Sequence, residues 1–386
     1  MAFKPNILIL SAGYGEGHNQ AATALAQAFK ERRHPIRVSV VDYVEMVHPI
    51  INSITRFAYK NSVKYAPKLY GLFFKRTNDI HPASNLQQLV RQFGSRKLFR
   101  YIHATEPTIV INTFPLSAGT LSWLKQQRRT HVMAATVITD YTVHSQWVHD
   151  EIEYYFVGSE HVKQSLVAKG IAAENVAVTG IPIRPSFHYL YDRRHLKHTF
   201  GLDDRPTALI MGGWHGVFNA SLCERLAEKQ DIQLLFVCGG DRKLYNRILP
   251  LQMRFPDRVR VFGYVTNIPE LMSVSDFILA KAGGLTTSEA LAMGLPMLLY
   301  RPIPGQEEQN ADYLINEGVA CLARNTQQLF TQFERLCNDR EQLNNMKKRA
   351  ELFKLRGNAA SVIAEQTLQH VFERYHGQHS PLEMNI

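Results

Sequence analysis

Two glycine-rich turns stand where a buried strand is expected to pass into a helix. They read Gly13-Tyr14-Gly15-Glu16-Gly17-His18 and Gly212-Gly213-Trp214-His215-Gly216. Because glycine has no Cβ, a ligand can approach the backbone N–H groups of such a turn and the positive end of the helix that follows. Neither turn is a dinucleotide fingerprint or a P-loop, since His18 stands where the fingerprint has glycine and the P-loop lysine is absent. A turn of this kind can also be purely structural, but two matching turns predict a ligand held between two similar domains.

His18 places a titratable imidazole at the end of the first glycine-rich turn. An imidazole at the start of a helix can titrate near neutral pH and accept a proton from a substrate. The alternative is a structural histidine, which is the more common role of a single histidine. His18 is therefore a candidate general base whose role depends on the rest of the site.

The most informative stretch runs from Lys281 to Asn310. Its glycines Gly283 and Gly284, followed by Thr286, are predicted to leave a strand and open a helix whose first turn offers free N–H groups to a diphosphate. We expect Glu289 in that first turn, either as a partner of the helix dipole or as the acceptor for two ribose hydroxyls. A loop after the next strand presents Gln306 and Glu307, which are suited to bind the hydroxyls of a hexose.

Short apolar runs alternate with helical segments along the whole chain, which is typical of an α/β fold with parallel, doubly wound sheets. We predict two such domains, residues 1–185 and 186–386, joined near Pro185 by a connector that begins at Val176. A helix from Ala359 to Arg374 is the last predicted element. The predicted strands are Asn6 to Ala12, Arg37 to Asp42, Thr108 to Asn112, His131 to Thr139, Tyr154 to Gly158, Thr207 to Met211, Gln233 to Cys238, Val259 to Phe262, Phe277 to Ala280 and Leu295 to Tyr300.

The positive charge is concentrated in one region. The formal net charge is +10, and residues 46–105 hold ten Lys or Arg against a single acid, Asp79. Aromatic residues alternate with these cations, a pattern suited to an anionic lipid surface. A solvated helix face and a nucleic-acid surface are the alternatives, and no other segment resembles a nucleic-acid module. The candidate membrane residues are Arg56, Phe57, Lys60, Lys64, Lys68, Phe73 and Phe74.

The cysteines and the apolar runs indicate a cytoplasmic protein. The four cysteines are widely spaced and form no CxxC pair, so we expect reduced, buried thiols. The first apolar run is too short for a secretory signal, and no stretch reaches the roughly 18 residues needed to span a bilayer. Any contact with a membrane is therefore expected to be peripheral.

The sequence resembles the family of monogalactosyldiacylglycerol synthases and processive diacylglycerol β-glucosyltransferases, and more distantly the peptidoglycan lipid-intermediate N-acetylglucosaminyltransferase. The resemblance extends over nearly the whole chain, and the last two of its motifs are the most specific. The motifs are Gly15-Glu16-Gly17-His18; Val137-Ile138-Thr139-Asp140 with His144 and Trp147; Gly180-Ile181-Pro182-Ile183-Arg184; Lys281-Ala282-Gly283-Gly284 to Glu289-Ala290; and Pro304-Gly305-Gln306-Glu307 with Asn310.

This resemblance implies a GT-B fold, in which two Rossmann-like domains face a cleft and the C-terminal helix returns to the N-terminal domain. The N-terminal domain would bind the acceptor and the membrane, with Gly15 and Gly17 on the acceptor side. The C-terminal domain would bind a UDP-sugar. Gly212, Gly213, Gly283, Gly284 and Thr286 would lie at the diphosphate, Val265 would meet uracil through its backbone, Glu289 would bind the ribose, and Gln306 and Glu307 would bind the sugar.

The implied reaction is an inverting transfer of a hexose, with glucose favoured, from the UDP-sugar to diacylglycerol on the cytoplasmic side of the cell membrane. His18 is the first candidate for the base, and Asp140 either orients it or is itself the base. The UDP-sugar is a co-substrate; no cofactor or metal is expected, since no Asp-x-Asp motif lies near either turn. An N-acetylglucosaminyltransferase acting on a polyprenyl-linked acceptor and a UDP-sugar 2-epimerase of the same fold are the alternatives. Anionic membrane lipids are expected partners and nucleic acid is not. The number of sugars added and the oligomeric state stay open.

Overall fold

The computed structural model describes residues 3–13, 16–32, 35–49, 71, 76, 92–212, 218–229, 231–355 and 357–379. Contacts between Cα atoms divide the chain into two compact units. Among the described segments, the first unit contains residues 3–49, 76, 92–185 and 358–379, apart from the gaps already given. The second contains residues 186–357 together with Gly71. Each unit is built on its own six-stranded parallel sheet.

The first sheet has the strand order β2-β1-β3-β4-β5-β6. Alternate residues of β1 face opposite sides of this sheet: Ile7 and Ile9 pack into one core cluster, and Leu8 and Leu10 into another. From β1 the chain passes to β2 on one side of β1, and then to β3 on the other side. The switch point of this sheet therefore lies between β1 and β3. Its strands are β1 Asn6–Ser11, β2 Arg37–Asp42, β3 Ile109–Asn112, β4 Met133–Val137, β5 Tyr154–Val157 and β6 Val176–Val178.

Helices cover both faces of this sheet. Each of its parallel strands must be joined to the next by a crossover, and most of the described crossovers contain a helix. The described α-helices of the first unit are α1 Glu16–Lys30, α2 Tyr43–Val47, α3 Ser95–Thr105, α4 Pro115–Gln126, α5 Glu160–Val167 and, from the end of the chain, α14 Ala359–His379. Short 3-10 turns lie at Ser145–Trp147 and Ala173–Asn175.

The C-terminal helix α14 packs against α1 of the first unit. Its buried positions, which include Ala360, Ile363, Ala364 and Val371, recur at helical spacing and join the core cluster around Ile7 and Ile9. The ring of His370 stacks on Tyr154 with centroids 3.8 Å apart. Helix α14 thus belongs to the same compact unit as β1, and it extends five residues beyond the Arg374 boundary expected from the sequence.

The second sheet has the order β12-β11-β10-β7-β8-β9, with its switch point between β7 and β10. Its strands are β7 Thr207–Met211, β8 Gln233–Val237, β9 Val259–Phe262, β10 Phe277–Ala280, β11 Met297–Tyr300 and β12 Ala320–Ala323. Its described helices are α6 Arg193–Thr199, α7 Ala220–Ala227, α8 Arg242–Arg254, α9 Ile268–Val274, α10 Gly284–Ala292, α11 Gln306–Asn316, α12 Thr326–Asn338 and α13 Arg340–Lys354, with a 3-10 turn at Pro185–His188.

A cluster of charged groups holds α6, β10 and α13 together. Asp276, directly before β10, accepts hydrogen bonds from Arg193 at 3.0 Å and from Lys347 at 2.7 Å, and its other oxygen accepts the backbone N–H of Thr207 at 2.9 Å. Burial by itself would raise the pKa of Asp276, but the two cations outweigh it and the pKa is lowered. The carboxylate is therefore ionised in the folded protein and joins three elements of the second unit.

The observed elements confirm the α/β, doubly wound fold and correct some details. Val176 to Val178, expected to belong to the connector, forms the edge strand β6, because its backbone pairs with Tyr155 to Val157 of β5. Strand β12 was not predicted. All four cysteines are free, two of them buried and two half-buried, and burial raises the pKa of each thiol to about 12. Within the described part of the chain, no helix is both long enough and apolar enough to cross a bilayer.

Candidate active site

His18 lies on the first turn of α1, beside the switch point of the first sheet. The loop before it is held from the end of β2, where Asp42 Oδ2 accepts the backbone N–H of Gly13 at 2.9 Å. The next residue on the helix, Asn19, accepts a hydrogen bond from the Ser11 hydroxyl at 2.6 Å. These two contacts attach both sides of the glycine turn to the ends of neighbouring strands, and so fix where α1 and His18 begin.

Residues that follow β3 and β4 surround the imidazole. Its Nδ1 lies 3.2 Å from the Thr139 hydroxyl. The rings of Phe114 and Trp147 lie 5.5 Å and 6.2 Å from the imidazole, measured between centroids. If Thr139 accepts the hydrogen bond, Nδ1 carries the ring proton and Nε2 is left with the lone pair. This arrangement suits a general base that acts through Nε2.

The pKa of His18 lies below its usual value of 6.5. The largest cause is burial, which disfavours the imidazolium; the charge of Asp140 and a hydrogen bond to the backbone of Thr113 oppose it. The imidazole is therefore neutral at pH 7 and free to accept a proton. Asp140 is buried, with 4% of its surface exposed, and its charge favours the imidazolium that forms when a proton arrives.

Several sequence candidates for acceptor and membrane contact lie outside the described residues: Gly15, Arg56, Phe57, Lys60, Lys64, Lys68, Phe73 and Phe74. Gly17 is described, as the second residue of α1, and is half-buried. Thr139 was not singled out as a site residue by sequence reasoning. Its position directly before Asp140, at the carboxyl end of a predicted strand, was the available signal.

In the second unit, the predicted donor residues follow the two strands that flank the switch point. Gly212 begins the turn after β7 and is closely packed, since an added Cβ would lie 3.3 Å from both the Val237 carbonyl oxygen and Leu244 Cδ2. Gly283, after β10, is the opposite case, because an added Cβ would meet no atom within 4 Å. Gly213 lies outside the described residues. The backbone at Gly283 is therefore open to a ligand.

Helix α10 begins at Gly284, and its N-cap residue, Gly283, has no side chain that could cap the helix. Two hydroxyls near the start of the helix donate to backbone carbonyls that precede them: Thr287 donates to the Gly283 carbonyl at 2.9 Å, and Ser288 to the Gly284 carbonyl at 2.6 Å. Thr286 is half-buried on the same turn. The N–H groups of the first turn of α10 have no partner within the helix, which is the feature that suits a helix start to an anion such as a diphosphate.

Glu289 is not in the first turn of this helix, as the sequence predicted. The helix starts only after the extended Gly283, so Glu289 is its sixth residue and lies in the second turn. It is buried, with 6% of its surface exposed. A carboxylate so far from the helix end gains little from the dipole, which acts mainly within the first turn. The ribose role predicted for Glu289 thereby gains weight over the dipole role.

Gln306 and Glu307 are also placed differently from the prediction. They open helix α11 rather than lying in a loop, because Gly305 adopts a left-handed φ of 98° and turns the chain. Glu307 Oε2 accepts the backbone N–H of Ile303 at 2.8 Å. The helix is joined to the β10 loop by the buried Asn310, whose amide donates to the Ala282 carbonyl at 3.0 Å. One hydrogen bond thus fixes the predicted sugar residues relative to the predicted diphosphate residues.

Two further residues complete this side of the second unit. Val265 lies half-buried in the loop after β9, next to the strongly exposed Tyr264. Gly71 approaches Pro304, since a Cβ added to Gly71 would lie 2.4 Å from Pro304 Cβ.

No group of three or more His, Cys, Asp or Glu side chains with the spacing of a metal site occurs among the residues whose positions are described.

Comparison with known proteins shows which protein family the chain belongs to. A family model described as monogalactosyldiacylglycerol (MGDG) synthase matches residues 18–183, and one described as glycosyl transferases group 1 matches residues 219–353. Two curated relatives named processive diacylglycerol beta-glucosyltransferase, from Bacillus cereus (strain AH187) and Bacillus anthracis (strain CDC 684 / NRRL 3495), are each 37% identical over 351 residues. Each alignment covers 90% of this chain and 89% of the relative.

Solved structures show the same fold at low identity. MurG from Acinetobacter baumannii has a TM-score of 0.62 at 14% identity and covers 95% of this chain and 99% of its own. UDP-GlcNAc 2-epimerase from Neisseria meningitidis, bound to UDP-GlcNAc, has a TM-score of 0.60 at 16% identity and covers 95% and 100%. These likenesses, with the two parallel sheets, confirm the GT-B fold. By its identity to the curated relatives over 90% of its length, the chain belongs to the family of processive diacylglycerol beta-glucosyltransferases.

Proposed function

We propose that this glycosyltransferase moves glucose from UDP-glucose to the free hydroxyl of diacylglycerol, with inversion at the anomeric carbon. The curated relatives carry this substrate class in their names. The observation that carries the proposal is the neutral His18 imidazole, held at Nδ1 beside a sheet switch point. The two alternative functions, an N-acetylglucosaminyltransferase and a UDP-sugar 2-epimerase, have no supporting observation of their own. The similarities to MurG and to the epimerase lie below 25% identity and concern the fold alone.

In the proposed reaction the acceptor oxygen attacks the anomeric carbon from the face opposite UDP. The bond from that carbon to the diphosphate oxygen breaks, and its electron pair leaves with UDP. His18 Nε2 takes the acceptor proton, and Asp140 stabilises the resulting imidazolium. Base catalysis of this kind typically contributes about 10²- to 10⁴-fold to the rate.

The negative charge that develops on UDP would be met by the N–H groups around Gly283, Gly284 and Thr286, together with the turn that begins at Gly212. Gln306 and Glu307 would bind the glucose hydroxyls, Glu289 the ribose and the backbone of Val265 the uracil. With these groups at the leaving UDP, the proposal assigns no role to a metal ion or a cofactor.

The acceptor is a lipid, so the enzyme must work at a membrane surface. We assign this contact to the cationic and aromatic residues between positions 46 and 105, which suit anionic lipids on the cytoplasmic side. The protein would then be peripheral. Sedimentation with vesicles tests this: binding that requires anionic lipid and declines with salt is expected, and equal binding to neutral and anionic vesicles would refute it.

The function is tested by measuring UDP release from UDP-glucose, UDP-galactose and UDP-N-acetylglucosamine, with and without vesicles that contain diacylglycerol. The lipid products are identified by mass. We expect release that depends on diacylglycerol and yields glucosyl- and diglucosyl-lipid. A His18→Ala variant should lose at least 100-fold in kcat. Turnover of no donor with this acceptor would refute the proposal, and full activity of the variant would remove His18 as the base.

A further inference from the structure

Three cations follow three neighbouring strands of the second sheet. Lys281 follows β10, Arg301 follows β11 and Arg324 follows β12. These strands pair in parallel, so their carboxyl ends lie on one edge of the sheet. The row of cations therefore lies on the edge that carries Gly283 and the first residues of α11.

Two of these cations are exposed and have partners. The guanidinium of Arg324 lies 3.5 Å from the carboxylate of Glu308, and that of Arg301 lies 5.3 Å from the ring centroid of Tyr300. Lys281 differs from both. Its side chain is only partly exposed, and no hydrogen bond or ion pair to its Nζ occurs among the described residues.

The surroundings of Lys281 favour the binding of an anion at its ammonium group. Burial lowers the pKa of Lys281, and the negative charge of Glu307 opposes this effect. A partly buried ammonium group without a direct partner is unfavourable, because it gives up hydration without a replacement hydrogen bond. Glu307 Oε2 accepts the backbone N–H of Ile303 at 2.8 Å, and no hydrogen bond or ion pair between Glu307 and Lys281 occurs among the described residues.

The backbone next to Lys281 is rigid on one side and open on the other. Ala282, the next residue, is held by the hydrogen bond from the buried Asn310. Gly283 then presents a backbone with no neighbouring atom where its Cβ would be. Lys281 thus lies two residues before the open backbone at Gly283, on the edge of the sheet where α10 begins.

We infer that Lys281 is a catalytic residue that contacts the donor diphosphate and stabilises the negative charge gained by UDP as it leaves. This role rests on the proposed function. Lys281 gives up no proton and forms no covalent bond; its ammonium group neutralises a phosphate oxygen while the electron pair of the broken carbon–oxygen bond stays on UDP. Glu307, on the other side, helps to keep the ammonium protonated.

The test compares nucleotides that differ only in their phosphates. Lys281→Met removes the charge and keeps the length of the side chain, Lys281→Arg keeps the charge, and Lys348→Met on the exposed face of α13 is the matched control. Calorimetry with UDP and with uridine should show that Lys281→Met lowers UDP affinity at least ~10-fold while uridine affinity is unchanged. The Arg variant should recover most of the loss, and the control should match the wild type.

Equal UDP affinity in the wild type and Lys281→Met would overturn the inference, as would an equal loss for UDP and uridine. If Lys281→Met does not fold, as judged by its thermal transition, Lys281→Gln is measured against the same control and the same two outcomes decide. Failure of wild-type UDP binding would overturn both this inference and the proposed function. A wild type that binds UDP but does not glucosylate diacylglycerol would overturn the proposed function and leave the Lys281 comparison decisive.

Discussion

Replacing Glu289 by Gln is the sharpest test of the donor site. The substitution keeps the shape of the side chain but removes its negative charge. In the proposed complex the carboxylate accepts hydrogen bonds from both ribose hydroxyls, whereas the amide offers a single acceptor oxygen. Because the side chain is only 6% exposed, water cannot replace the lost interaction.

The expected loss follows from that burial. A hydrogen bond to a charged group contributes about 1.5–3 kcal/mol, and a neutral one about 0.5–1.5 kcal/mol. The variant should therefore bind UDP more weakly by about 1–3 kcal/mol, which corresponds to ~5- to ~150-fold in affinity. Binding of 2′,3′-dideoxy-UDP should change much less, because that nucleotide has neither hydroxyl.

Titration calorimetry at constant pH and salt measures both affinities, and Glu351→Gln on the exposed surface of α13 is the control. Unchanged UDP affinity in Glu289→Gln would refute the ribose assignment. So would an equal fold loss for UDP and the dideoxy nucleotide, since that pattern indicates general damage to the site. Thermal unfolding of the variant within a few degrees of the wild type would exclude misfolding as the cause.

Three further outcomes are expected. The acid limb of the pH profile of kcat/KM should have an apparent pKa below 6.5, because burial lowers the pKa of His18. Asp140→Asn should shift that limb to lower pH, because the Asp140 carboxylate raises the pKa of His18. An apparent pKa above 6.5, or a shift to higher pH in the variant, contradicts the assignment. Thr139→Val should lower kcat about 10- to 100-fold with the KM for UDP-glucose unchanged, and Thr139→Ser should restore it, since the Thr139 hydroxyl contacts Nδ1 and serine keeps that hydroxyl; equal activity of the Val and Ser variants argues against this. Asp276→Asn should lower the free energy of unfolding by about 2–3 kcal/mol at pH 7, between the values for exposed and buried ion pairs. The pKa of Asp276 is lowered in the folded protein, so the stabilisation exists above its usual 3.8 and disappears as the pH falls through the lower, folded value. The urea midpoints of both proteins should therefore converge in acid; a constant difference would contradict the linkage.

Ten of the twelve strands in the described part of the chain were predictable from apolar runs bounded by turn residues. The two that were missed, Val176–Val178 and Ala320–Ala323, are edge strands of three and four residues. Runs so short have weak intrinsic strand preference, and they become strands because the neighbouring strand offers a row of unpaired N–H and C=O groups.

The start of a helix was harder to predict than its existence. Sequence reasoning placed Glu289 in the first turn and Gln306 in a loop, whereas α10 begins at Gly284 and α11 at Gln306. Glycines precede both helices, and a glycine is compatible with the last residue of a loop or the first residue of a helix. The backbone angles that decide between these depend on packing around the turn.

Local sequence patterns were enough to predict the alternation of strands and helices, the two glycine turns, the polar residues that follow the strands and the region that carries the positive charge. Which of those residues meet depends on how the chain folds in three dimensions. Thr139 reaches His18 across 121 residues, and Asn310 holds Ala282 across 28, because the order of strands in each sheet brings the ends of β1, β3 and β4, or of β10 and β11, to one edge. Strand order and burial are properties of the assembled sheet rather than of any local segment, and it is burial that lowers the pKa of both His18 and Lys281.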